Sequence, residues 1–312
     1  MTLASPKTVL LTGASGYVGG MTCRFLEQRG WRVLRGGRRP GDSVFLDFSR
    51  PLAIASTTIE DRVDAVVHCA AANEVQCARS PVEAVEINVT GTTAMLECAV
   101  ANRIPSFIYL STFHVFGAPS GVLHEGCEPA PETVYGLTHA QAEQWVWQQD
   151  KRGVIQGSVV RPSNIFGMPE QISRCDRWSL VPLGFVRDAV RTGQIVLKTP
   201  GLQERNWVSA DTVNEAILGM LEGRWASRLA HAAGAHTTSI LDFARRVAAV
   251  VEGVSGRKVV VSAAEGTRST SSVRFCSQLA NPVQESEAAL DDYLRAMTRA
   301  LVSADSGSGV GL

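Results

Sequence analysis

The stretch Val9 to Gly20, "VLLTGASGYVGG", constrains the chain more than any other. Gly13, Gly16 and Gly19 stand three residues apart, between an apolar run that reads as a strand and an amphipathic run that reads as a helix. The first glycine permits a tight turn, and Gly16 lets backbone amides approach an anion. Gly19 lets the helix pack closely on the strand, and the helix N-terminus favours negative charge. One reading is a pyrophosphate-binding loop completed by Ser15, Tyr17 and Val18. The other is a strand-to-helix turn that holds no ligand.

The same alternation continues. From Lys7 to about Gly167, "TVLLTG", "RVLRGG", "DAVVHCAA", "SFIYLST" and "GSVVRPSNIFG" are separated by amphipathic or alanine-rich segments. Strands alternating with helices predict an α/β fold, a Rossmann-type doubly wound parallel sheet over residues 1–167, with a returning segment near 205–222. After Gly167 the period loosens at Pro169, Pro182 and Pro200. The helical patterns "ADTVNEAILGMLEG" and "SILDFARRVAAVVEG" and the strand pattern "RKVVVSA" predict a smaller mixed α/β lobe over 168–302. The last residues, 303–312, have the small, polar composition of an unfolded tail.

Lys plus Arg and Asp plus Glu number 30 each, so no net field draws the chain to nucleic acid or an anionic membrane. No apolar run reaches membrane-spanning length and no leader pattern opens the sequence, which predicts a soluble cytoplasmic protein. The seven cysteines are odd in number and scattered, without zinc spacing, so they read as reduced thiols and no metal site is expected.

The end of the second strand reads "VLRGGRRPGD". Gly37 stands where an acid would hold the adenosine ribose of NAD(H), and the guanidinium groups of Arg38 and Arg39 suit a 2′-phosphate. NADP(H) is therefore favoured over NAD(H), unless the two arginines only solvate a loop. In "VFLDFS", Asp47 ends the next strand, placed to accept from the adenine amino group, with Phe48 beside it.

In order along the chain these motifs resemble the extended short-chain dehydrogenase/reductase family, the NAD(P)-dependent sugar-nucleotide epimerases, dehydratases and ketoreductases. "TGASGYVGG" looks like the family's glycine loop, and "VVHCAAANEV", with Ala70 and Ala71, like its fourth-strand motif. "INVTGT" is similar to the segment carrying its helix-borne asparagine, here Asn88. "YLSTFHVFG" resembles the strand whose hydroxyl meets the substrate carbonyl, which implies that role for Thr112, with Ser111 beside it. "VVRPSNIFG" resembles the segment that meets the nicotinamide, implying contacts from Pro162 to cofactor and from Asn164 to substrate. "GLQERNWVSADTV" resembles the substrate-lobe signature, implying that Arg205 meets a nucleotide diphosphate. Taken singly, Asn88 reads as a helix-interior hydrogen bonder and Thr112 as a strand former.

The resemblance implies that Tyr135, in "YGLTHAQAE", exchanges a proton with the substrate while hydride moves on the nicotinamide. The family's lysine four residues on supplies positive charge and holds the nicotinamide ribose; here His139 replaces it. A helix keeps positions 135 and 139 on one face, but histidine, with an ordinary pKa of about 6.5, is mostly neutral unless phosphate or a depressed tyrosine raises it. Three readings stay open. His139 substitutes for the lysine, catalysis is impaired while nucleotide binding persists, or His114, two residues beyond Thr112 on a regular strand, shares proton transfer. Phe113 and His114 stand where the family's dehydratases carry an Asp-Glu pair, which disfavours elimination of water.

The segment "RSTSSVRFCSQLANPVQESEAALDDYL" is similar to the closing part of the dTDP-4-dehydrorhamnose reductase branch, except that Ser269 replaces a proline. The reading that follows is an NADPH-dependent 4-ketoreductase of a nucleotide-linked deoxysugar, with Arg205 and Arg274 clamping the diphosphate. The alternatives are a cofactor-retaining epimerase and a non-catalytic nucleotide-binding or regulatory protein. The resemblance also implies pairing across a two-fold axis by the helices of Asn88 and Tyr135. Trp145, Trp147 and the Ala142/Val146 stripe offer such a homodimer an apolar face, or else pack on their own sheet.

Overall fold

The computed structural model describes residues 7–117, 120–266, 272–280 and 282–307. Ser269 and residues 308–312 lie outside the described residues.

The central sheet holds seven parallel strands: β1 (Thr8–Thr12), β2 (Arg32–Gly37), β3 (Val44–Phe45), β4 (Ala65–His68), β5 (Ser106–Leu110), β7 (Gln156–Pro162) and β11 (Leu229–Ala232). Their spatial order is β11-β7-β5-β4-β1-β2-β3, so the chain winds outward both ways from β1. Ligands of such sheets lie at the carboxyl ends of the strands where the winding reverses, here between β1 and β4. β1 is buried throughout because a strand alternates its faces. Val9 and Leu11 enter the core beneath α1 (Tyr17–Gln28) and α8 (Ala210–Leu221), with Leu26, Val213 and Ile217. Leu10 enters the opposite core with Met95, Leu96, Ala142 and Val146, beneath α5 (Gly91–Ala101) and α6 (Val134–Lys151). Three short helices, α2 (Pro51–Ala55), α3 (Glu74–Arg79) and α4 (Pro81–Val85), complete this half.

The second lobe packs α7 (Val181–Thr192), α9 (Ile240–Ser255) and α10 (Ala289–Gly307) around Leu183, Val186, Phe243, Val247, Leu294 and Met297. Three small sheets surround this core: β8 (Asn164–Phe166) with β10 (Glu204–Ser209) and β12 (His236–Ser239), β9 (Gln194–Leu197) with β13 (Val260–Ala263), and β6 (Gly121–Leu123) with β14 (Val273–Phe275). Among the described residues no helix is long and apolar enough to cross a membrane.

The structure departs from the expected elements in five places. "GSVVRPSNIFG" is two strands in two sheets. The Ser163 amide makes the last bond to β11, donating to the Ala232 carbonyl at 3.0 Å, while its hydroxyl donates to Asn206 Oδ1 at 2.7 Å and ties the chain to the next sheet. The return to the main sheet runs past residue 222 to include β11, whose "LAHA" carries little β-propensity and pairs with β7 by position alone. β3 is two residues long, so Asp47 follows the strand rather than ending it. α10 continues to Gly307, five residues beyond the expected start of the tail, since nothing in "SADSG" breaks a helix before its glycine. Finally, Ala142 and Val146 are fully buried against their own sheet, which withdraws that stripe from any partner and leaves Trp145 as the exposed aromatic of α6.

Candidate active site

A cleft of about 800 Å³ opens between the two lobes along the carboxyl ends of β1, β2, β4, β5 and β7. Gly13, Ser15, Gly16, Tyr17, Val18 and Gly19 line one end. Gly13 has φ +69°, and a Cβ there would press on the backbone of Ala70, while a Cβ on Gly19 would overlap the Gly13 carbonyl. Only glycine fits either position. α1 starts at a Gly16 cap with no side-chain hydrogen bond and no acid in its first turn, which leaves its amide end for an anion. The Tyr17 hydroxyl donates to the Gly167 carbonyl at 2.8 Å, so what Tyr17 can offer a phosphate is its backbone.

Gly36, Gly37, Arg38, Arg39, Leu46, Phe48 and Ser49 line the next part. Asp47 does not. Its carboxylate accepts from the Ser49 hydroxyl at 2.7 Å and amide at 3.1 Å and from Arg38 at 3.4 Å, and these partners hold it below the ordinary range. In this position it braces a loop. Asp42 supplies an acid that the sequence left unnoticed. Its carboxylate accepts from the Arg39 amide at 2.7 Å and fills the space where a Cβ on Gly37 would project, yet it stays outside the lining that Arg38 and Arg39 share.

Cys69, Ala70, Ala71, Pro162, Ser163, Asn164 and Ile165 lead to the far end, where Thr112, His114, Tyr135 and His139 converge. β5 stops at Leu110, and Thr112 caps a single 3₁₀ turn, Phe113–Phe116, by accepting from the His114 amide. His114 is therefore not on a regular strand with Thr112, although its ring still meets Tyr135 edge-on at 5.6 Å. Thr133 caps α6 by accepting from the Gly136 amide, and a Cβ on Gly136 would run into the His114 carbonyl. That close approach sets the start of α6 against the turn and brings Tyr135 to Thr112. Tyr135 and His139 sit one helical turn apart, their rings 4.5 Å apart at 66°.

The electrostatics differ from a lysine site. Burial pushes the Tyr135 phenol up to about 12, with Glu74 adding to the rise and Arg177 and the Thr112 hydroxyl opposing it. His139 is 2 % exposed, and burial holds it down to about 3, helped by neighbouring His114. His114 is itself pushed down to about 4 by burial and by Arg205. Without nucleotide, desolvation thus keeps His139 a neutral imidazole across the working range. Its Nδ1 meets the Tyr109 hydroxyl at 2.7 Å, and its Nε2 has no partner among the described residues.

Three further positions, Asn88, Arg205 and Arg274, depart from expectation. Asn88, fully buried in one turn of π-helix, accepts from the Ala72 amide at 2.6 Å and donates to the Thr138 hydroxyl at 2.9 Å, so it ties the loop after β4 to α6 and does not line the cleft. Ser111 lines the cleft, and its hydroxyl donates to Glu143 at 2.5 Å; Glu143 in turn holds Arg161 through two bonds of 2.9 and 2.5 Å. Arg205 donates to its neighbour's carbonyl and Arg274 is exposed on β14; neither lines the cleft. Asn164 does, with its amide donating to the Asn206 carbonyl at 2.9 Å.

In place of those two arginines the cleft contains Arg177, which pairs with Glu74 at 2.8 Å beside Ser179 and Trp207. "CDRW" lies in an irregular stretch where an arginine carries no periodic signal. Glu74 was findable, because "NEVQ" is a capping box, with Asn73 and Gln76 satisfying each other's backbone amides.

The glycine cradle, the orphaned ring nitrogen of His139 and the Tyr135/Thr112 pair together suit a nicotinamide dinucleotide. The family model of the NAD dependent epimerase/dehydratase family matches residues 9–233. The chain belongs to this family. It is therefore an extended short-chain dehydrogenase/reductase by family. UDP-glucose 4-epimerase of Rhizobium leguminosarum bv. trifolii is 31% identical to this family member over 172 residues, 52% of this chain and 53% of that protein. The chain spans about half the length of the curated relatives it matches. Among solved structures, RMD from Pseudomonas aeruginosa, complexed with NADPH, has a TM-score of 0.80 at 19% identity, covering 96% of this chain and 99% of that one. UDP-glucuronic acid 4-epimerase from Bacillus cereus, in complex with UDP-glucuronic acid and NAD, has a TM-score of 0.74 at 18% identity, covering 95% and 99%. At these identities the two structures show a shared fold.

Proposed function

We propose that this epimerase/dehydratase-family chain is an NADPH-dependent reductase that acts on the 4-keto group of a nucleotide-linked sugar. The observation that carries the reading is Tyr135, half-buried at the cleft wall in a setting that raises its phenol, with no cation at position 139. A reductase starts from the protonated phenol, which is the populated form at neutral pH. An epimerase that starts from an alcohol needs the phenolate, and a phenol held near 12 supplies little of it. Arg38 and Arg39 along the cleft support NADPH, and the resemblance of the C-terminal segment supports a deoxysugar.

When bound, the cofactor supplies the hydride. Tyr135 holds the proton for the carbonyl oxygen, and the Thr112 hydroxyl, 5 % exposed at the same wall, fixes that oxygen beside it. His139 offers Nε2 to the ribose, and Gly13, Gly16 and Gly19 keep the loop open to the pyrophosphate. Asn164 faces the sugar, while Arg177, with its charge partly met by Glu74, is the guanidinium within reach of substrate anions. Balance requires one hydride to carbon and one proton from Tyr135 to oxygen for each NADPH consumed. Trp145 on α6 is the exposed aromatic that a homodimer would cover, which sedimentation velocity at two concentrations decides.

The test has two steps. Titration with NADPH and NADH, followed by tryptophan quenching, is expected to show saturable binding that favours NADPH. Incubation with 4-keto nucleotide sugars is then expected to consume one NADPH per alcohol formed. Interconversion of UDP-sugars without net loss of nicotinamide would establish the epimerase instead, and nucleotide binding without turnover on either substrate set would establish a non-catalytic protein.

A further inference from the structure

The catalytic helix carries a second device that neither the motifs nor the relatives describe. Tyr109, on β5, is 1 % exposed and belongs to the core beneath α6; it is not part of the cleft lining. Among the described residues its hydroxyl has one hydrogen-bond partner, His139 Nδ1 at 2.7 Å. The His139 ring is wedged between Tyr109, at 5.7 Å, and Tyr135, at 4.5 Å. With Nδ1 taken on the core side, Nε2 is buried and unpartnered, on a residue that lines the cleft wall.

Two arrangements of the proton satisfy that contact. If Nδ1–H donated to the phenol oxygen, the phenol's own proton would be buried without an acceptor, and Nε2 would be left as a bare acceptor. An orphaned buried donor costs on the order of 1–3 kcal/mol. If the phenol donates to Nδ1, both groups are satisfied on the core side and the imidazole proton sits on Nε2, which leaves one unmet buried group against two in the first arrangement. We propose that Tyr109 is a positioning residue, whose O–H donates to His139 Nδ1 and locks the Nε2–H tautomer, so that position 139 presents one neutral N–H donor to a hydroxyl oxygen of the cofactor ribose. This deepens the nucleotide reading and rests on it. The lock replaces the lysine's geometry without its charge. His68, the next ring along, is itself a neutral imidazole held between the Thr12 and Thr92 hydroxyls, and it stacks on Tyr109 at 5.8 Å. The charged groups nearest this row are Glu143, closed on Arg161, and Glu74, closed on Arg177, so no carboxylate competes for the imidazole.

The experiment begins with the nucleotide-free protein. Long-range nitrogen–proton correlation spectra of histidine-labelled wild type, with the signal assigned through His139→Gln, are expected to show His139 protonated at Nε2 and bare at Nδ1. Protonation at Nδ1 would overturn the proposal whatever the protein binds. In Tyr109→Phe the ring stays and the hydroxyl goes. The Nδ1–H form is then expected to become populated, and the dissociation constant for NADPH to rise about fivefold, the loss of one ordinary hydrogen bond. His139→Gln, whose amide can reach the Nε2 position, is expected to keep most of the binding, and His139→Asn, whose amide stops at Nδ1, to lose it. If Tyr109→Phe changes the tautomer but binds NADPH like wild type, the lock has no role and the proposal falls while the nucleotide reading stands. If wild type shows the expected tautomer but no dinucleotide binds, that reading falls and the ribose assignment with it.

Discussion

A phenol held near 12 is a proton donor throughout the neutral range, so the pH profile of the proposed reduction reports directly on Tyr135. The expected profile is flat between about pH 6 and 9, because Tyr135 stays protonated and His139, held near 3, does not titrate there. The replacement that the sequence invites is His139→Lys. Read from the sequence, it should flatten a histidine-dependent profile; read from the structure, it should do the reverse. A cation one turn from Tyr135 favours the phenolate and lowers its pKa, so reduction acquires a basic limb and declines as pH rises through the new value. Single-turnover rates across the pH range, measured on both proteins, check this. A variant as flat as wild type would show that the two side chains do not communicate.

The element that aims the chemistry is α6, and its register depends on the absence of a side chain at Gly136. Thr133 caps the helix, Tyr135 follows, and Gly136 lets the first turn lie against the carbonyl of His114. Gly136→Ala suits the helix by propensity but has to push that turn away. The expected net effect is destabilisation of about 1–3 kcal/mol, by analogy with overpacked cores, read from urea midpoints. The catalytic rate should fall further than stability predicts, because Tyr135 and Thr112 move on opposite sides of the new contact. If the variant is stable and fully active, the close approach has no part in aiming Tyr135. Farther along the same helix, Glu143 closes on Arg161 with Ser111 bonded to it, which anchors α6 to β7 and the end of β5.

Across the whole molecule, four imidazoles are held neutral by desolvation: His68 and His139 are held near 3, and His114 and His231 near 4. In the unfolded chain each titrates near about 6.5. Between those limits the unfolded state binds more protons than the folded one, so stability rises with pH across that window and is lost as pH falls below about 6.5. Melting temperature is expected to fall steadily from pH 7 to pH 4, before most carboxylates titrate. A melting curve unchanged down to pH 5 would mean that these rings accept protons in the folded protein.

Local rules reach as far as the backbone does. Gly13, Gly16 and Gly19 announced the loop because its conformation excludes side chains, and the strand-helix alternation announced the parallel sheet because each element must bury one face. Cleft geometry set by backbone or by near neighbours, such as that of Gly13 and of the Tyr135/His139 turn, was legible for the same reason. Contacts closed by long-range packing were not. Asn88 and Asp47 have the residue types of a binding site, but their partners, Thr138 and Ser49, hold them outside the cleft lining. Arg177 reaches the cleft from an irregular segment, while Arg205 and Arg274 do not line it. The protonation of His139 depends on the core that surrounds it, including a tyrosine 30 residues away in the chain. Spacing placed the ring one turn from Tyr135; only the fold removed the water that would have let it carry charge.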